Sequence, residues 1–236
     1  VVWAMSLFGK WDMLVQVLAW NMAEFTAMLK DILGYLGPRL DSYEVKTLVE
    51  RPKIDLQIFD YAKETGFTFR KPAPKQPAEL DEVDKQILVY MNKRAAPCTY
   101  QEIGKATGVT METARNRVRA MLEKGAIHKL MIMADHRKLG LEQYLVFLTL
   151  RYTTPEKEKE LMTYLHSNRK VKIIFRELGK LELYFFAAVE NTKEFEHLFK
   201  EIKSRFFDII LDTDHMYITE EFTLNYFPPG LLKSKQ

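Results

Sequence analysis

The 236-residue chain contains one cysteine, Cys98. An intrachain disulfide is therefore excluded, and a cysteine-based zinc site lacks its donors. Such poverty in cysteine fits a reducing, cytoplasmic compartment. Long apolar runs are missing too. The longest are too short and too interrupted to cross a bilayer, so no membrane partner is expected. Val1-Val2-Trp3 opens directly into strand-like sequence, without a basic leader or a small-residue cleavage site. No large charge excess exists either. The net charge is +3, so attraction for a polyanion would have to come from local clustering. The five histidines, at 128, 136, 166, 197 and 215, follow no ligand spacing. No Gly-rich phosphate loop, Ser-His-Asp order or metal motif occurs. Catalytic residues, metals and cofactors are therefore not expected.

What is present is the composition of a globular protein, 47% hydrophobic and 28% charged. Residues 70–78 read Arg-Lys-Pro-Ala-Pro-Lys-Gln-Pro-Ala. Three prolines among small and basic residues allow neither a helix nor a central strand, which makes this stretch an extended linker. It separates an N-terminal part from the rest. A shift of 170 positions lays the two parts over one another. Val1, Gly9, Lys10, Asn21, Glu24, Phe25 and Lys30 then fall on Val171, Gly179, Lys180, Asn191, Glu194, Phe195 and Lys200. Each copy reads strand, tight Gly-Lys turn, strand, Asn-started amphipathic helix, strand. Asn21 and Asn191 suit the N-cap, where a short side chain accepts from a free helix N–H.

The second copy has more in front of it. Residues 141–152 are rich in β-branched and aromatic types and read as a strand. Residues 155–167 open with Pro155 and carry Leu161, Met162 and Leu165 as an apolar helical stripe. Residues 141–219 thus spell β-α-β-β-α-β, a ferredoxin-like open sandwich. The first copy holds only the last four elements.

Residues 80–127 have a helical rhythm. Leu80, Val83, Ile87, Leu88 and Met91 share helical spacing, with Asp81, Glu82 and Asp84 in the first turn. A short second helix begins at Tyr100, and Gly108 then supplies a turn. A third helix is capped by Thr110 and runs to about Lys124. Ile103, Ala106, Val109, Ala114, Val118 and Met121 are the expected core. This is helix-turn-helix order. Residues 110–129 carry five cationic side chains, Arg115, Arg117, Arg119, Lys124 and Lys129, against Glu112 and Glu123. The cationic excess therefore lies on the third helix and the strand-like residues after it. The major groove of double-stranded DNA admits one helix, and Arg and Asn present bidentate edges to guanine and adenine. Expected contacts are Thr99, Tyr100, Gln101, Thr110, Thr113, Arg115, Asn116, Arg117, Arg119 and Lys129.

The stretches LDEVDKQIL, YQEIGKATGVT, RVRAMLEKGAI and HRKLGL resemble the Lrp/AsnC family of bacterial and archaeal regulators. The resemblance implies an α+β chain, with a winged helix-turn-helix joined to a ferredoxin-like βαββαβ domain called RAM. It also implies homodimers or higher oligomers built through RAM sheets, and an amino-acid-like effector near a Gly-x-x-Asp turn. That turn is Gly9-Lys10-Trp11-Asp12 in the first copy and Gly179-Lys180-Leu181-Glu182 in the second, with Glu in place of Asp. Gly104 departs from the family, which usually has Ala there, at some cost in helix stability. The expected organisation is a partial RAM-like unit at 1–61, a linker at 62–79, the helix-turn-helix at 80–135, the RAM domain at 136–228 and a tail. This resembles a tandem duplication whose first copy is truncated. Sequence upstream of Val1, another chain, or residues 53–59 folding back would supply the missing strand. Two other functions remain open: an enzyme on this architecture, like the siroheme decarboxylases, or an assembly module that no longer binds DNA.

Overall fold

The computed structural model describes residues 1–54, 79–93, 98–127, 130, 136–178, 182–225 and 227. They form two compact units, Val1–Ile54 with Gly140–Leu224 and Asp55–Leu139 with Asn225–Gln236. The expected α+β class, with a ferredoxin-like unit and a helix-turn-helix, holds. Most of the Pro-rich stretch, and the segment where a wing would come after the third helix, lie outside the described residues.

The first unit is built on one seven-stranded sheet. Its strands are β1 Trp3–Phe8, β2 Met13–Gln16, β3 Leu48–Ile54, β4 Glu142–Leu150, β5 Val171–Glu177, β6 Glu182–Val189 and β7 Ile210–Leu224. The order is β2-β1-β7-β4-β6-β5-β3, with every neighbouring pair antiparallel. The central β7-β4-β6-β5 is the ferredoxin-like order of the βαββαβ repeat. Strand alternation divides its side chains between two faces. Tyr144, Val146, Leu148 and Leu150 of β4, with Leu183, Phe185, Ala187 and Val189 of β6, face the helices. Those helices are α5 Pro155–Ser167 and α6 Thr192–Arg205, which contribute Leu161, Leu165, Phe195, Leu198 and Ile202. α5 and α6 come after α1 Met22–Leu36 and the three helices of the second unit in chain order.

The alternate side chains, among them Phe175, Tyr184 and Phe186, project from the other face. The N-terminal segment packs on this face. Trp3, 4% exposed, stacks on Phe186 with ring centroids 4.4 Å apart and lies 6.3 Å from Phe175. Its indole N–H donates to Glu221 Oε2 at 2.9 Å. Val2, Met5 and Leu7 are buried with it. β7 makes this possible through its length. Ile210–Tyr217 pairs with β4, and Tyr217–Leu224 pairs with β1. Register shifts between Ala4 and Met5 and between Ser6 and Leu7 bend the ladder.

The N-terminal strands therefore make no sheet of their own. β1 adds to β7 and β3 adds to β5, leaving β2 and β3 as the two edges of the sheet. The local geometry of the two sequence copies nonetheless agrees closely. The Asn21 side chain accepts from the Glu24 N–H at 2.9 Å, and Asn191 accepts from Glu194 at 3.0 Å. Each Glu reaches back to the N–H that precedes its cap, Trp20 at 2.6 Å and Glu190 at 2.7 Å. The two helices thus start with the same pair of local bonds, one to the cap side chain and one from the residue before it.

The second unit packs α2 Glu82–Lys93, α3 Tyr100–Thr107 and α4 Met111–Glu123 around Ile87, Ile103, Ala114, Val118, Met121 and Ile127. Val109 packs against this core, but Ala106 does not join it and is exposed. Asn92 on α2 donates its amide to the Asn225 side chain and accepts from the Phe227 N–H at 3.2 Å, so the chain returns to this unit after β7.

Candidate nucleic-acid interface

The turn between α3 and α4 fixes how α4 is presented. α3 begins with a complete capping box, in which Glu102 N–H donates to Thr99 and Thr99 N–H donates to Glu102. It ends on Gly108, whose φ of 72° is a left-handed conformation that favours glycine. Thr110 then caps α4, accepting from the Thr113 N–H at 3.1 Å. Gly104 explains its own departure from Ala. A Cβ there would lie 2.6 Å from the Val109 carbonyl oxygen and 3.2 Å from the Met111 nitrogen. The turn passes over α3 too closely for any side chain, and this requirement outweighs the propensity cost expected from sequence.

α4 buries Ala114, Val118 and Met121. At 3.6 residues per turn, Glu112, Asn116, Arg119 and Glu123 fall on the opposite side. Asn116 and Arg119 are exposed there. Arg115 lies on the flank beside Arg119, its side chain 42% exposed and 3.5 Å from Glu112. Three of the expected contacts, Arg115, Asn116 and Arg119, thus share the outer surface of one helix. Thr113 shares a 2.9 Å hydroxyl contact with Thr110. Thr99, Tyr100 and Gln101 sit together at the start of α3, with Tyr100 and Gln101 exposed. The Thr99 hydroxyl is committed to Glu102.

Arg117 has a different setting. Two positions from both Arg115 and Arg119, it projects to nearly the other side of the helix. Its guanidinium donates to Asp81 at 2.6 Å and to Asp84 at 2.9 Å, tying α4 to the start of α2. The Asp84 N–H, bonded to Asp81 at 2.8 Å, and then the Arg117 guanidinium hold the Asp81 carboxyl below its ordinary value of 3.8. The same bonds raise the Arg117 pKa, Asp81 first. Arg117 is a strut of the three-helix unit in this geometry, with its donors turned away from the surface that carries Arg115, Asn116 and Arg119. Its partners lie 36 and 33 residues upstream, which is why spacing within α4 does not reveal them.

Lys129 and the turn residues Gly179, Lys180 and Leu181 lie outside the described residues, and Glu182 is described only as the first residue of β6. Among the described residues, no group of His, Cys, Asp and Glu could hold a metal ion. No helix among them is long and apolar enough to cross a membrane.

Three helices with a glycine turn before an Arg- and Asn-bearing helix, in one chain with a ferredoxin-like unit, define a helix-turn-helix regulator. Residues 80–122 match the AsnC-type helix-turn-helix domain. The chain is 35% identical over 100 residues to the HTH-type transcriptional regulator LrpA of Pyrococcus horikoshii, covering 42% of this chain and 69% of that protein. It is 27% identical over 131 residues to the regulator Ptr1 of Methanocaldococcus jannaschii, covering 56% and 84%. The fold matches that of E. coli AsnC with a TM-score of 0.53 at 20% identity, over 64% of this chain and all of that one. It also matches a Neisseria meningitidis transcriptional regulator solved with L-Met, with a TM-score of 0.57 at 15% identity, over 65% and 99%. The chain belongs to the Lrp/AsnC family of transcriptional regulators. Its relatives are regulators of transcription and not enzymes.

Proposed function

We propose that this Lrp/AsnC regulator binds double-stranded DNA in the cytoplasm by inserting α4 into the major groove, and that it works as at least a homodimer. The observation that carries this reading is the sorting of charge on α4. Arg115, Asn116 and Arg119 lie together on its outer side, while Arg117 is spent on Asp81 and Asp84. Thr99, Tyr100, Gln101, Thr110 and Thr113 stand at the helix starts, where hydroxyls and backbone N–H groups meet phosphates. Lys129 adds a phosphate contact. Two recognition helices related by a two-fold axis suit a palindromic operator with half-sites about one helical turn, or a multiple of it, apart.

The test begins with genomic DNA captured by the protein and sequenced, and then titration of the recovered site. Arg119→Ala and Arg115→Ala should each cost about 1–3 kcal/mol on the best site and relax base preference. Lys129→Ala should weaken all sequences alike and flatten the salt dependence. Unchanged operator affinity in all three variants would remove α4 from the groove.

An amino-acid-like effector at the turn Gly179, Lys180, Leu181 and Glu182 completes the proposal. It is supported by the match to a regulator solved with L-Met and by the position of the turn just ahead of β6. Calorimetric titration of the twenty amino acids against the protein and a Glu182→Ala variant tests it. Heat from none of them refutes it, as does equal binding by both proteins.

A further inference from the structure

Glu112 is an acid on the side of α4 that is to meet a polyanion. It stands two positions into the helix, after the Thr110 cap, and its side chain is 73% exposed. Helical spacing sets it on one outer line with Asn116 and Arg119, which are exposed as well. A carboxylate in this place opposes binding to DNA in general, because it faces phosphates and occupies a position where a cation would neutralise one.

The protein itself gives the Glu112 carboxylate little to do. On α3 the first-turn acid, Glu102, closes a capping box by accepting from the Thr99 N–H at 2.7 Å. On α4 the equivalent position is held by Thr113, which meets the Thr110 cap through its own N–H and hydroxyl. Glu112 lies one residue short of it and takes no part in the cap. Among the described residues its polar partner is Arg115, at 3.5 Å, the outer limit of a hydrogen bond, and both side chains reach solvent. Such a pair holds neither group firmly, so the carboxylate is free to exchange Arg115 for a donor on DNA.

Donors are scarce on the base edges of the major groove. Guanine and thymine present acceptors there, adenine pairs its amino group with the N7 acceptor, and cytosine offers its N4 amino group alone. A carboxylate, which only accepts, matches cytosine. We propose that Glu112 is a specificity-determining residue of α4, accepting a hydrogen bond from the N4 amino group of a cytosine and disfavouring bases that place an acceptor or a methyl group in its way. The inference rests on the reading that α4 enters the major groove, with its N-terminal residues at the base edges. Its neighbours set the position of that cytosine. Asn116 lies about 6 Å farther along α4 and Arg119 about 10 Å, against about 3.4 Å per base pair. The cytosine therefore falls about two base pairs from the base taken by Asn116 and about three from that taken by Arg119.

Selection from a pool of random-sequence duplexes by the whole chain is the test, run on wild type, Glu112→Ala, Glu112→Gln and Arg119→Ala. Wild type should select cytosine at one position of each half-site. Glu112→Ala should lose that preference, about five- to tenfold for a single base contact, while keeping the others. It should also bind unselected duplex about two- to fivefold more tightly, with one carboxylate fewer near the phosphates. Glu112→Gln should move the position to adenine, whose adjacent donor and acceptor an amide matches. A Glu112 that served only the positive start of the helix would, when replaced, lower the melting temperature and leave the selected sequence as it was, and that result would overturn the proposal. If Arg119→Ala alone alters the selected sequence, α4 stays in the groove and the role of Glu112 falls. If neither residue alters it, the reading of α4 falls, and this inference with it.

Discussion

Replacing Trp3 by alanine tests whether the N-terminal strand is part of the folded unit. An indole buries about 200 Å², and at about 25 cal/mol per Å² its transfer contributes on the order of 5 kcal/mol. Alanine keeps a small share of this, so the transfer loss is about 4 kcal/mol. The stack on Phe186 at 4.4 Å adds roughly 1 kcal/mol, and the bond to Glu221 adds about 1–2 kcal/mol. Opposing these, β1 lies at the start of the first unit and can lift off the sheet, so the loss is capped at what its docking contributes. The expected result is a loss of about 3–5 kcal/mol, the range of large aromatic-to-alanine changes in cores. Urea unfolding monitored by far-ultraviolet circular dichroism measures it. Trp3→Phe keeps an aromatic ring on the sheet but removes the N–H donor and part of the buried ring, so it should lose about 2–3 kcal/mol, less than Trp3→Ala. A loss below about 1 kcal/mol for Trp3→Ala, within the range of an ordinary surface change, would mean that β1 does not cover the sheet in solution.

Gly104→Ala should destabilise the helix-turn-helix unit by up to about 2 kcal/mol in the same assay. The propensity gain of about 1 kcal/mol is outweighed by overpacking of about 1–3 kcal/mol against a carbonyl 2.6 Å away, and a more stable variant would refute that ordering. Arg117→Ala should lower the melting temperature yet leave the ranking of DNA sequences as it was, and altered base preference would return Arg117 to the groove. In the same variant, the Asp81 carboxyl, monitored by NMR through acid titration, should move up toward 3.8. The sign comes from its lowered folded pKa. The stabilisation is complete above the unfolded value and fades as pH falls below about 4, so an Asp81–Arg117 link that weakened near neutral pH would contradict the geometry.

The features legible in the sequence are those encoded locally. Asn21 and Asn191 announce their helices because a cap is satisfied within four residues, and the same holds for Thr99, Gly108 and Thr110. The central four strands emerge from alternation joined to helix spacing. The features hidden from sequence depend on partners distant in the chain. Alternation shows that Trp3, Met5 and Leu7 share a face, but not that β7 is the strand beside them. Arg115 and Arg117 look alike until Asp81 and Asp84 come into place. Gly104 reads as a weak helix residue because the carbonyl it accommodates belongs to Val109, one turn beyond. Ala106 reads as core by residue type, although a short three-helix unit buries only one side of α3.

Because β1 pairs with the last strand of the sheet, the order of synthesis works against it. Translation at about 5–20 residues per second leaves on the order of 10–40 s between emergence of Trp3 and completion of Leu224. For that time Trp3, Met5 and Leu7 have no sheet to dock on, and neighbouring chains on one message carry the same bare hairpin. β1 is thus the segment of this chain most in need of a chaperone that holds nascent strands, and slowing translation should lower the yield of folded protein sooner than it would for a regulator whose sheet closes on local pairs.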